Sequence, residues 1–280
     1  MSWEAFLDYG LIVALIAFSA EYIDSTLGMG YGTTLTPILL LMGFGPLQVV
    51  PAILLSELAT GLLAGAAHHR LGNVDFGVRA PGGKIRDSLR ELGWFATFRK
   101  MCPRHLKISI LIAICSGVGT VLAVILAVSV SKFYLKLYIG IVILLVGIFT
   151  ILTSRRQLRF SWQRLTGLGL VASFNKGLSG GGYGPLVTSG QILCGVGEKN
   201  AVGITSFAEG LTCMVGVGAY LAMSGVMDTV LVPYLLIGAV LSVPLSAYTV
   251  KRMPVRAFRL IIGLATVGLG SMTLIDTLLR

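Results

Sequence analysis

The sequence predicts an all-α membrane protein of two inverted-topology repeats, each of about five helical elements, with short helices set off by glycine breaks. Three observations predict it. The chain of 280 residues is 55% hydrophobic and 12% charged, with a mean hydropathy of +0.87, so it holds too few charges to coat a water-facing surface. Gly28-Met29-Gly30-Tyr31-Gly32 returns as Gly180-Gly181-Gly182-Tyr183-Gly184, at an offset of 152. The basic residues behind the net charge of +10 collect in three short blocks between apolar segments, the form of a topology signal rather than of a nucleic-acid-binding stripe.

At the same offset the match runs from Ala20/Ala172 through Thr36/Thr188, Leu41/Leu193, Gly43/Gly195, Gly45/Gly197, Val50/Val202 and Glu57/Glu209 to Thr60/Thr212. That is about a dozen identities over roughly forty positions without a gap, too many for coincidence in a glycine-rich chain.

The first apolar stretch covers about Tyr9 to Ile23 and stops at Asp24-Ser25-Thr26 and the glycines. It follows a start that carries Glu4 and Asp8 and no basic residue, so a membrane helix is expected there rather than a cleaved signal peptide. A second stretch, Thr33 to Met42, is long enough for half a bilayer at 1.5 Å per residue. The third, Leu47 to Ala67, contains Pro51 and Glu57 and ends at His68-His69-Arg70.

A polar segment over 71–107 reads as a cytoplasmic insertion rich in Arg and Lys. Within it, Ile85 to Met101 sets Leu89, Leu92, Trp94, Phe95 and Phe98 among charges, as in an amphipathic helix at the membrane surface. Spans over Ile108 to Val130 and Tyr134 to Leu152 follow, joined by a tight turn at Ser131-Lys132, and lead into Arg155, Arg156, Arg159 and Arg164. The pattern then repeats: Leu165 to Leu178, the glycine break, Gly184 to Leu193, Ala201 to Met223 and Thr229 to Val250. A third basic block at Lys251, Arg252, Arg256 and Arg259 precedes a last span to Leu279.

With all three blocks inside, the number of crossings between them must be even, which places the N-terminus outside and starts the second half inside. The two repeats are then residues 1–154 and 155–280, homologous and opposite in orientation.

Glycines let the backbone leave helical geometry and approach a ligand closely, and the short helices after each break turn N–H groups and positive dipole ends toward it. This makes Gly28, Gly30, Tyr31, Gly32 and Thr33 candidate substrate-binding residues, with Ser179, Gly180, Gly181, Gly182 and Tyr183 from the second copy. The competing reading is that the glycines serve only close helix packing.

Just before the glycines the repeat sets Asp24 opposite Lys176. Membrane charges are expensive and pair or face a cavity. Lys176 is thus a candidate for the substrate's counter-charge, balanced by Asp24 when the site is empty, or else the two form a permanent ion pair. Glu57 and Glu209, each mid-span, are candidates to carry a proton coupled to anion movement, or neutral acids capping broken backbone. Ser25, Thr34, Asn175 and Gln191 are further polar neighbours of the breaks.

Gly177-Leu178-Ser179-Gly180-Gly181-Gly182 followed by Pro185 and Gly195, the first-half counterpart with Pro37, and Gly72-Asn73-Val74-Asp75-Phe76 resemble the sulfite exporter TauE/SafE family of membrane transporters. The resemblance implies transport of a small sulfur-containing anion across the cytoplasmic membrane: sulfite, an organosulfonate such as sulfoacetate, or thiosulfate. The expected mode is secondary transport by alternating access, in the exporting direction.

Other classes lack their signatures. Gly-Tyr-Gly also occurs in potassium filters, but those need four converging copies after Thr-Val, and this chain has two. G-x-S-x-G occurs once, as Gly177-Leu178-Ser179-Gly180-Gly181 in the second glycine break, without the strand-to-helix turn that makes it a nucleophile elbow; H-E-x-x-H and the nucleotide-binding G-x-x-x-x-G-K-[ST] do not occur, so neither an enzyme nor a nucleotide-driven pump is expected. Cys102, Cys115, Cys194 and Cys213 lack C-x-x-C spacing, and the adjacent His68-His69 do not share a helix face. No metal or other cofactor is expected. The expected partners are the anion, the lipid bilayer and protons or another coupling ion, with no nucleic acid.

Overall fold

The computed structural model describes residues 3–78, 101–152, 161–193, 196–224, 230–252 and 256–279. The amphipathic helix expected over 85–101 and the basic residues Arg155, Arg156 and Arg159 lie outside them, apart from Met101.

Among the described residues the regular structure is all α-helix, with turns between and no strand, as expected. The helices are α1 (Trp3–Leu27), α2 (Tyr31–Leu41), α3 (Pro46–Arg70), α4 (Arg104–Ser129), α5 (Lys132–Leu152), α6 (Trp162–Ser179), α7 (Tyr183–Leu193), α8 (Glu198–Ser224), α9 (Leu231–Arg252) and α10 (Arg256–Leu279). Segments of α1, α3, α4, α8 and α9 are long and apolar enough to cross a membrane. The two helices that follow the glycine breaks, α2 and α7, have 11 residues each.

Within the expected stop at Asp24-Ser25-Thr26 and the glycines, the structure places the end of α1 at the glycines. Asp24-Ser25-Thr26 does not end α1, which continues to Leu27. The polar side chains are absorbed by the helix itself: the Ser25 hydroxyl donates to Glu21 Oε1 at 2.6 Å and the Thr26 hydroxyl to the Tyr22 carbonyl at 2.6 Å. The interruption falls at the glycines alone.

The helices pair in a pattern that maps onto itself when each is exchanged for the one five places along. α1 packs along α9 and, correspondingly, α6 along α4; α3 meets α8, and α5 meets α10. The pair α3 and α9 likewise corresponds to α8 and α4. The first helix of each half therefore packs on the fourth helix of the other, and the halves interleave.

Polarity is distributed for lipid rather than water. On α4, Ile114, Val118 and Leu122 form an exposed stripe at four-residue spacing, while Ser109, Ser116 and Thr120 of the same helix are fully buried. Ile237, Leu241 and Leu245 do the same on α9. Buried hydroxyls recover their hydrogen bonds from backbone, as Ser116 does by donating to the Gly169 carbonyl.

At one end of the bundle, the Gly-Asn-Val-Asp-Phe turn after α3 gathers several elements. Asn73 donates to the Ala247 carbonyl of α9 at 3.0 Å and its own carbonyl accepts from Asn200 of α8 at 3.2 Å. The Asp75 amide donates to His105 of α4 at 3.1 Å, and Lys199 donates to the Lys251 carbonyl at 2.7 Å. The start of α4 and the end of α9, which carry parts of the first and third basic blocks, thus lie at the same end.

Candidate functional site: a buried lysine between repeated glutamates

The two glycine breaks are built alike and pack on each other. After α1, the Gly28 amide still reaches the Asp24 carbonyl at 2.6 Å; after α6, the Gly180 amide reaches the Lys176 carbonyl at 2.8 Å. Gly28 and Gly180 then take φ of 69° and 71°, a region open to glycine at little cost, and Gly30 and Gly182 are also positive. Gly32 sits directly against the Gly180 carbonyl, so that any β-carbon there would overlap backbone. Thr188 of α7 donates to the Gly28 carbonyl at 2.6 Å, tying the second short helix to the first break.

Beside these breaks lies a narrow cleft lined by Glu21, Asp24, Glu57, Thr60, Gly61, Ser206 and Glu209. Glu57 is the twelfth of the 25 residues of α3 and Glu209 the twelfth of the 27 of α8, so the repeat delivers both carboxyls to mid-helix where α3 and α8 cross. Lys176, 1% exposed, is held between them. Its Nζ donates to Glu209 Oε1 at 2.7 Å and is ion-paired with Glu57 Oε2. The remaining Glu57 oxygen, Oε1, is buried without a hydrogen-bond partner.

The lysine's partners are therefore the two glutamates and not Asp24, the residue expected to balance it. Asp24 Oδ1 accepts from the Tyr31 amide at 3.2 Å, bracing the first residue of α2, because α1 continues past it as helix instead of turning its carboxyl toward α6. Glu21 accepts the Ser25 hydroxyl on Oε1 and the Thr60 hydroxyl, at 3.1 Å, on Oε2. Four carboxyls thus face one ammonium.

A family profile described as sulfite exporter TauE/SafE matches residues 13–82 and 92–273. The chain belongs to the sulfite exporter TauE/SafE family. It is also similar to the probable membrane transporter protein YtnM of Bacillus subtilis (strain 168), 23% identical over 280 residues, covering 95% of this chain and 83% of the relative. The protein is a multi-pass membrane transporter of the TauE/SafE family.

Of the residues singled out from the sequence, the fold brings Asp24, Glu57, Glu209 and Lys176 to one place, with the glycines and Thr33 packed beside them at the crossing of the breaks. The two tyrosines flank the cleft without lining it, Tyr31 on the Glu57 side and Tyr183 on the Glu209 side. Tyr31 and Tyr183 are fully buried, in separate apolar clusters. Tyr31 hydroxyl lies 2.8 Å from Ser56 Oγ, and that of Tyr183 accepts from Thr212 at 3.5 Å. Ser179 caps its own break: its Oγ donates to the Asn175 carbonyl at 2.7 Å and accepts the Gly181 amide at 3.1 Å. Asn175 accepts from Tyr138, while Gln191 donates to Thr205 at 2.8 Å.

Sequence reasoning missed Glu21, Thr60, Gly61 and Ser206. Glu21 has Ser173 as its partner at the 152 offset, so the repeat gave no signal for it. Its charge within an apolar span was the available clue.

Proposed function

We propose that this TauE/SafE transporter moves a small sulfur-containing anion, such as sulfite, thiosulfate or sulfoacetate, across the cell membrane by alternating access. The observation that carries the reading is Lys176: a fully buried ammonium at a cleft between repeated mid-helix glutamates. A buried charge is retained at considerable cost, and in a membrane transporter it marks a substrate or ion pathway. The family's description as sulfite exporter supports the choice of a sulfur oxyanion and of the outward direction. In a cell that produces the anion internally, the net movement is export.

The halves are inverted repeats in this reading, with the N-terminus outside and the basic blocks in the cytoplasm. The self-mapping helix pairs support this, as does the gathering of two basic blocks at one end. Because the halves interleave and the breaks touch backbone to backbone, a shift of one half against the other opens the cleft on alternate sides.

Thermal unfolding of the purified protein with sulfite, thiosulfate, sulfoacetate, sulfate, taurine, chloride and potassium tests the substrate. A ligand of the folded state raises apparent stability by mass action. A selective rise with a sulfur oxyanion or sulfonate supports the proposal; a rise with potassium alone, or none at all, rejects it.

A further inference from the structure

Lys176 has no charge to spare for an incoming anion. Both of its partners are carboxylates, and Glu21 and Asp24 line the same cleft, so an anion that merely added would bring further negative charge into a buried, already acidic space. An anion can take Lys176 only by replacing a carboxylate, and a carboxylate left there without a counter-charge must gain a proton.

Glu57 is the carboxylate built to do so. It is 2% exposed, it lines the cleft, Oε2 is committed to Lys176, and Oε1 has no hydrogen-bond partner. Glu209, by contrast, holds Lys176 through a well-formed hydrogen bond and keeps the ammonium in place during the exchange. The groups facing Glu57 are Glu21 and Asp24 of α1, Tyr31 of α2, Lys176 of α6, and Glu209 and Cys213 of α8, whose thiol sulfur is 3.9 Å from Oε2. The charged residues of α9, Lys251 and Arg252, lie at the end of that helix. Among the described residues, Lys176 is thus the single cation in this surrounding.

We propose that anion binding at Lys176 is obligatorily coupled to protonation of Glu57, making the protein an anion–proton cotransporter. This rests on the anion reading above. The ion pair between Glu57 and Lys176 breaks, the anion forms its own ion pair with Lys176, and a proton from water entering the cleft binds Glu57 at Oε1. Release reverses each step. With a monoanion the cleft has the same net charge empty and loaded; a dianion calls for a second proton. Anion and proton cross in the same direction, so an acidic exterior drives uptake, and export proceeds when the internal anion outweighs that gradient.

The test uses the purified full-length protein with thiosulfate and sulfoacetate as probes. In weakly buffered solution with a pH-indicating dye, binding should make the medium more alkaline by at least one proton per anion bound. Both probes are dianions, so probe affinity should rise about tenfold per unit fall in pH for each proton taken up, and about a hundredfold where the second proton binds too. Glu57→Gln should still bind the probes through Lys176, with the pH dependence reduced by one proton. Binding by the unmodified protein with no proton uptake and no pH dependence overturns the coupling while leaving the anion reading standing. Undiminished proton uptake by Glu57→Gln overturns Glu57 as the acceptor. If neither probe binds or stabilises the protein, the anion reading fails and the coupling with it. The measurement on the unmodified protein decides the coupling even where a variant does not fold.

Discussion

His68 Nε2 lies 3.0 Å from the carbonyl oxygen of Ser25. This contact joins the last turn of α3 to the last turn of α1, next to the first glycine break. The other ring nitrogen, Nδ1, is 3.1 Å from the Asn73 amide nitrogen. Asn73 is in turn bonded to α8 and α9, so one fully buried histidine connects the break to the end of the bundle that carries the basic residues.

His68→Ala removes both bonds, leaving the Ser25 carbonyl without its histidine donor and one N–H of the Asn73 side chain unpaired while the other stays on Ala247. A loss of about 1–3 kcal/mol is expected for each buried group so orphaned. Unfolding in detergent should show a clear drop in midpoint, and Asn73→Ala a smaller one. A His68→Ala midpoint equal to that of the unmodified protein removes the connection from the list of things that hold the break.

Removing Lys176 strands two buried glutamates. Lys176→Met should destabilise the protein by about 3–5 kcal/mol near neutral pH, the usual consequence of breaking a buried pair from one side. The deficit should shrink in acid, as the stranded carboxylates become protonated. Lys176→Met combined with Glu57→Gln and Glu209→Gln should regain most of the stability and still fail to bind anion. Thermal midpoints of the two variants across a pH series check both points; a pH-independent deficit contradicts the ion-pair explanation.

The contact between the breaks admits no β-carbon on Gly32. Gly32→Ala should therefore push α2 away from the Gly180 carbonyl, with a sharp fall in folded yield or in transport. Gly218→Ala on α8, where a β-carbon meets nothing within 4 Å, is the matching control and should behave as the unmodified protein. Fluorescence-detected size-exclusion of the two variants makes the comparison.

Leu241 is 65% exposed on a helix apolar enough to span the membrane. An aspartate in its place faces lipid, at a cost of about 2.5–3.5 kcal/mol if it lies near the bilayer centre. Membrane-integrated yield should drop for Leu241→Asp and hold for Leu241→Ile.

The break and the ion pair were legible in the sequence to different degrees. Two glycine runs at one offset announced themselves because a backbone that leaves helical geometry needs particular residues at particular positions. Glu57 and Glu209 were legible for a similar reason, being charges repeated mid-span. Lys176 was visible as a charge but was matched to the wrong carboxyl, since the repeat aligns it with Asp24 and alignment across a pseudo-symmetry axis is not contact. Tyr31 and Tyr183 were read with the glycines they accompany, yet their rings follow the first turns of α2 and α7 into separate apolar clusters.

The residues by themselves therefore determined the membrane class, the helical elements, the repeated glycine segments and the points where α1 and α6 must stop, all of which depend on local composition and backbone chemistry. Tertiary structure alone decided which carboxyl meets Lys176, that Glu21 joins the cleft, and that each half packs its first helix on the fourth of the other. Those relations depend on how α3 and α8 cross, a distance in space between residues whose separation along the chain carries no record of it.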